Sequence, residues 1–517
     1  GEALPALTPE ILDPASTGSL AAQQVTRTPT AAPLSTESAT PLPTATPFST
    51  DPAPLPPTPT PSTTPLPIVT LFVPPAWHSI SKSVEAYRSP GNTCVLQLAD
   101  REEADLRIVQ AEGDFVISRE PLALAVPFTS PRQATSMEEA LAVIAEGDEE
   151  ITVMPWSEMP REMRALRVDS LFVLDEGYPL RETWSLQVTP GFEQIAMEVL
   201  PMLQRWRAKP LVHVTAVGDI MLDRALGYAL SQGQLDYPFA KTAEQLRRAD
   251  ITIGNVESAL GDSGEAESKR YPFRAPPEAA EALALAGFDV VSLANNHAGD
   301  YGDAALQQAL ELLSAQDIAA IGAGRNAQEA RAPFVTEING LKLASLAYVH
   351  VPVEASTGFD TASWTATDDS PGVAWADPLM IKEDVQGIKG AVDLIIVVLH
   401  SGFEYQEAPS EPQMAAARAA IDAGANLVIG HHAHILQGIE FYHDGVIIYG
   451  TGNFAFEIDG PPDTALFDIW LDRDGVRQID VTPAIIQFGG QPRLAESWEA
   501  PPIRDRVYQL TKLLNTG

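Results

Sequence analysis

Four apolar runs in this chain stop abruptly at residues that bind metals or move protons. Leu211–Asp223 (LVHVTAVGDIMLD) reaches Gly-Asp, and Val290–Asp300 (VVSLANNHAGD) reaches Asn-Asn-His. Leu394–Glu404 (LIIVVLHSGFE) and Leu427–Gln437 (LVIGHHAHILQ) run into histidine, and these two segments hold four of the chain's nine histidines. Buried parallel strands read as continuous apolar runs, and α/β sheets carry their chemistry at the carboxyl ends of strands. On that reading Asp219, Glu257 (after Asn255-Val256), Asn296, His297, His400, His432 and His434 come to one edge from five strand ends. Carboxylate, amide and imidazole together suit Mn²⁺, Zn²⁺ or Fe²⁺ better than Ca²⁺. Two such ions about 4 Å apart would clamp the attacking and leaving oxygens of a phosphoryl transfer. Taken singly, each residue has a plainer explanation: a turn for Gly-Asp, a helix cap for Asn-Asn. Their coincidence is what points to a metal site. His78, His213, His350 and His443 are read as ordinary core or surface groups.

The elements that must position these groups form a long α/β run over Leu211–Phe488. Strands are expected near Val212–Val217, Ile251–Ile253, Val290–Leu293, Ala319–Ile321, Lys342–Tyr348, Leu394–Leu399, Leu427–Ile429 and Val446–Tyr449. Helices are expected at about Phe239–Ala249, Pro277–Ala286, Asp303–Ser314 and Glu411–Ala423, the third with Ala305, Leu306, Ala309, Leu310 and Leu313 on one face. That alternation predicts a layered sheet flanked by helices. Upstream, Ile68–Ala208 alternates strand-like runs with helix-like ones, including Thr135–Gly147, which carries a capping hydroxyl and a C-terminal glycine. Gly191–Arg207 reads as an amphipathic helix closing this unit, and Lys209-Pro210 marks the boundary because proline stops a helix.

In order along the chain, GDIMLDR, NVES, YPFRAPPE, LANNHAGDYG, LHSGFEY, GHHAHILQGIE and IIYGTGNF resemble the bacterial capsule-synthesis (CapA, poly-γ-glutamate) family over about Val212–Phe456. The resemblance implies a calcineurin-like metallophosphoesterase fold, a four-layer α/β sandwich with a two-metal centre. It implies Asp219 and His434 on a first metal, Glu257 bridging, and Asn296, His400 and His432 on a second. His297 would act on the leaving group, with Asp300 orienting it. Arg274 and, more weakly, Arg224 are candidate anion-binding groups. Two departures stand out. Met221 replaces the histidine of the phosphoesterase Asp-x-His pattern, which weakens the first metal site or leaves Asp223 to help. Ser401 stands where relatives commonly have tryptophan. His431 is given no role. In the first unit, EPLALAVP, the helix after Ser136 and GYPLRETWSLQ resemble periplasmic phosphate-binding proteins.

Composition bounds the rest. With 517 residues, two or three units are expected: 1–67, 68–208 and 209–517. Sixty-nine acids against 33 bases give a formal charge of −36, which argues against nucleic acid as a partner. One cysteine, Cys94, leaves no internal disulfide and no multi-cysteine zinc site. The tract Thr28–Pro67 is dominated by proline and threonine and cannot bury enough apolar surface to fold. It reads as a disordered tether, and the start at Gly1-Glu2 reads as an exported, cell-surface lipoprotein trimmed of signal and anchor. Two functions remain open. One is a metal-dependent phosphoesterase-like hydrolase serving capsule or poly-γ-glutamate synthesis or export, with an envelope polymer or phosphoester as substrate and membrane machinery as partner. The other is a non-catalytic envelope protein that binds an anionic polymer in the same pocket.

Overall fold

A computed structural model describes residues 66–89, 94–101, 103–113, 115–353, 358–457 and 460–516. The tether before residue 66 lies outside the described residues. Strand Val212–Met221 shows why the fold starts where it does: all of it except His213 is buried. It is central in an eight-stranded sheet. On one side Ile251–Val256, Val290–Ser292 and Ala319–Ile321 follow in parallel. On the other lies the antiparallel hairpin Asp463–Asp472 and Gly475–Ile486. The second sheet has six strands in the order Phe334–Ile338, Leu341–His350, Leu394–Ser401, Leu427–His431, Gly445–Ile448, Ile439–Tyr442. Its middle four are parallel.

One hydrophobic core joins the two sheets, with Val214 and Ile253 of the first and Leu343, Ile396, Val398 and Ile429 of the second. Leu230, Leu283 and Leu313 bring helices Arg224–Ser231, Ala279–Ala286 and Gly302–Ser314 into it. The alternate residues Leu346, Tyr348, Ile395 and Val397 pack with Ile381, Val385, Ala417 and Ile421 of helices Pro378–Ile388 and Glu411–Ala423. The architecture is therefore the expected four-layer α/β sandwich, each sheet covered by helices on its outer face.

Every strand expected after Leu211 is present, most extended by one to four residues. The expected helix Phe239–Ala249 is a short 3-10 turn at Tyr237–Phe239 followed by Ala243–Leu246. Thr242 between them is non-helical at φ −131°, and Pro238 starts the 3-10 turn.

Within 68–208 a seven-stranded mixed sheet pairs Ile68–Phe72 with Val95–Leu98 and Leu106–Gln110, then continues antiparallel through Arg181–Val188 and Phe115–Pro127. Ser136 caps helix Met137–Glu146 by accepting from Glu139 N. Residues 65–517 form one compact unit. The hairpin is covered by the upstream segment: Trp156 donates its indole N–H to Gln478 Oε1 at 3.0 Å, and Phe172 packs on Trp470 at 4.5 Å between centroids. His213 stacks on the same Trp470 at 4.6 Å, consistent with its ordinary core reading.

Candidate metal centre

Strand register assembles the site. Asp219 pairs with Asn255 on one side and Asn453 on the other, while in the second sheet His400 pairs with His431. The register shifts between Ala216 and Asp219, where Gly218 lies against the chain at Gly452. A Cβ on Gly218 would sit 2.1 Å from Gly452 O, so only glycine lets the two segments approach and Asp219 N donate to that carbonyl at 2.9 Å. His432 and His434 both have positive φ, 84° and 55°. Such backbone strain costs about 1–3 kcal/mol per residue and persists where surroundings impose it, often at functional sites.

Glu257 sits at the middle. It belongs to two triads whose ligand atoms lie within 4.8 Å of one another: Glu257 with His400 and His432, and Glu257 with Asp219 and His434. Its carboxylate is fully buried, and neither oxygen has a hydrogen-bond partner among the described residues. His432 Nδ1 is likewise buried without one. A buried carboxylate without hydrogen bonds is costly, and oxygens left open between imidazoles are the donor chemistry of a shared divalent ion. These residues fit the implied pair of metals. Asn296 belongs to the first triad's side, its Oδ1 lying 2.7 Å from His400 Nε2, which is itself 3.4 Å from Glu257 Oε1.

The electrostatics divide the cluster. Burial opposes the Asp219 charge, but His431 and His434 hydrogen bonds hold that carboxyl well below the usual range. Burial and then the Asp219 charge push Glu257 well above it. Burial and neighbouring His432 drive His400 far down, and burial with His434 takes His432 down to about 3. Both stay neutral, as metal ligands must. His434 goes the other way: burial disfavours its charge, yet Glu257 and Asp219 hold it up at about 10.

His297 lies beside this cluster. Its Nδ1 is 2.7 Å from Asp300 Oδ2, as the orienting role requires, and its ring stacks on Phe273 at 4.5 Å. Arg224 lies over the other partner of that stack, its guanidinium 5.1 Å from the Phe273 centroid, and donates to Glu457 O. Arg274 covers Tyr301 at 4.3 Å.

Two readings change. Asp223 does not join the metal site: its oxygens accept from Arg224 N and Arg274 N, at 2.7 and 3.1 Å, as the cap of helix Arg224–Ser231. His431, given no role from sequence, is 3.0 Å from Asp219 Oδ1 through its Nδ1. Lys269 escaped notice entirely, yet its ammonium reaches Asp300 Oδ1 at 2.5 Å and Asn296 O at 2.7 Å. Asn255 and Asn453 were also missed; they hold Asp219 and His434 by hydrogen bonds of 2.9 and 2.8 Å. Only their places on the two strands that flank Asp219 could have signalled them.

Fold and site define a class: a two-sheet α/β sandwich whose strand ends gather carboxylate, amide and imidazole around one shared glutamate. The model of the family "Bacterial capsule synthesis protein PGA_cap" matches residues 213–458. The chain is 31% identical over 330 residues to the capsule biosynthesis protein CapA of Bacillus anthracis, covering 62% of this chain and 77% of that one. It is 31% identical over 300 residues to the PGA biosynthesis protein CapA of Bacillus subtilis, covering 57% and 75%. The chain belongs to this capsule-synthesis family. Among solved structures, a phosphatase from Mycoplasma pneumoniae aligns over 54% of this chain and 95% of its own, at 15% identity and a TM-score of 0.35.

Proposed function

We propose that this chain is an exported, metal-dependent hydrolase of phosphoesterase type, acting on an anionic envelope polymer or its precursor in capsule or poly-γ-glutamate synthesis. The carrying observation is Glu257: fully buried, neither oxygen hydrogen-bonded among the described residues, and common to two ligand triads. Asp219, His434 and Glu257 would hold one divalent ion, and Glu257, Asn296, His400 and His432 the other. When bound, such ions polarise a phosphoryl or acyl oxygen and lower the pKa of water. The protein's own part is positional. Asp300 accepts from the Nδ1–H of His297, so a proton for the leaving group comes from Nε2 of the doubly protonated ring, which becomes neutral as it gives it up. Phe273 holds the imidazole plane, while Arg224 and Arg274 offer forked donors to an anionic substrate.

Localisation outside the cytoplasm, and association with membrane-bound capsule machinery, rest on the proline/threonine-rich tract and on family membership. Among the described residues no helix is long and apolar enough to cross a membrane. One observation favours the non-catalytic reading: Met221, fully buried, replaces a ligand histidine. His431 on Asp219 weighs against it. The test is turnover of chromogenic phosphomonoesters and phosphodiesters by pure protein with Mn²⁺, Zn²⁺ or Fe²⁺. Metal-dependent turnover abolished by His432→Ala supports hydrolysis, and none with any ion favours the binding protein.

A further inference from the structure

Lysine is almost never fully buried unless it is paired, and Lys269 has a side chain of 0% exposure although its neighbours Ser268 and Arg270 are exposed. Its ammonium lies 4.9 Å from the Trp364 ring centroid and 5.6 Å from that of Phe359, a cation–π environment. From there it grips one short segment at both ends, donating to Asn296 O at 2.7 Å and to Asp300 Oδ1 at 2.5 Å. The other oxygen, Asp300 Oδ2, takes His297 Nδ1 and Phe273 N, each at 2.7 Å. The two oxygens are thus divided: Lys269 on one, the imidazole on the other.

We propose that Lys269 is a positioning residue, fixing Asp300 so that His297 keeps its Nδ1–H on the carboxylate and its Nε2 toward the substrate. The kinetic half rests on the hydrolase reading above; the geometric half does not. A lysine that merely neutralised a buried acid would stabilise the fold without governing the imidazole. Group orientation is worth a great deal in rate, since small misplacements cost about a hundredfold.

The test uses the full chain and Lys269→Met, whose straight apolar side chain suits the aromatic cage. In metal-free protein with ¹⁵N-labelled histidine, His297 should show a downfield, exchange-protected Nδ1–H, assigned by its loss in His297→Ala. Lys269→Met should abolish that signal and mix the tautomers; an unchanged signal overturns the proposal. Lys269→Gln, shorter and uncharged, decides the same point if Lys269→Met does not fold: broadening supports the proposal, and an unaltered resonance overturns it. On a phosphodiester, Lys269→Met should lower kcat about tenfold or more with little change in KM. In the His297→Ala background it should cost less than about twofold, because both act through one group. Multiplying losses overturn the proposal. If the wild type turns nothing over, the hydrolase reading fails alone and the resonance still decides the role of Lys269.

Discussion

Glu257→Gln separates metal binding from folding. In metal-free protein the Glu257 carboxylate is buried with neither oxygen hydrogen-bonded among the described residues, and burial and the Asp219 charge outweigh the attraction of His434, 3.9 Å away. An unsatisfied buried polar group costs about 1–3 kcal/mol, more when charged. Glutamine keeps the shape and removes the charge, so the metal-free variant should be more stable than wild type at neutral pH by about 1–3 kcal/mol. The sign with pH follows from the raised Glu257 carboxyl. Below the unfolded value of about 4.3 the group is protonated in both states and costs nothing. Between that value and the raised folded value the penalty grows with pH, and above the folded value it is complete, so wild type loses stability relative to the variant across that window. Metal affinity should move oppositely, because Glu257 serves both triads. Even outer partners of ligands are worth about 10–100-fold, and a shared ligand should be worth at least that. Urea unfolding with and without chelator at several pH values, beside metal titration, reads all three quantities. A metal-free variant less stable than wild type at pH 7, or one that keeps wild-type affinity, would refute the reasoning.

Other outcomes follow from the same geometry. His297→Ala should retain metal yet lose about a hundredfold or more in turnover, with a smaller loss on nitrophenyl substrates whose leaving groups need little protonation; rate comparison across leaving groups checks it. Gly218→Ala should be severely destabilised, because its Cβ would meet Gly452 O at 2.1 Å and that atom is backbone that cannot swing away; thermal unfolding shows whether Tm falls. Removal of residues 1–65 should leave Tm unchanged, since the tract offers no apolar face to pack; calorimetry of the shortened chain decides.

The candidate ligands stand out in the sequence because chemistry at a strand end contrasts sharply with the apolar run before it. His400, for instance, follows six aliphatic residues and nothing in the sheet interior resembles it. Lys269 had no such contrast. It lies among polar, glycine-containing sequence that reads as solvated loop, and the aromatic rings that bury it arrive much later, at Phe359 and Trp364. Strand Asp463–Asp472 was hidden by Asp468 in its middle, an acid that the fold satisfies with Thr215, Thr482 and His213. Helix Pro378–Ile388 was passed over although Asp377 followed by proline is a start signal: Asp377 accepts from Leu379 N and Met380 N. Asp223 misled for a related reason. A carboxylate two residues past Met221 looks available for metal until the helix it caps is seen to use it.

The most direct measurement is anomalous diffraction from crystals of the full chain grown with Mn²⁺ or Zn²⁺. The account predicts two peaks about 4 Å apart, one among Asp219, Glu257 and His434 and the other among Glu257, Asn296, His400 and His432. No peak at Glu257 under saturating metal would contradict it.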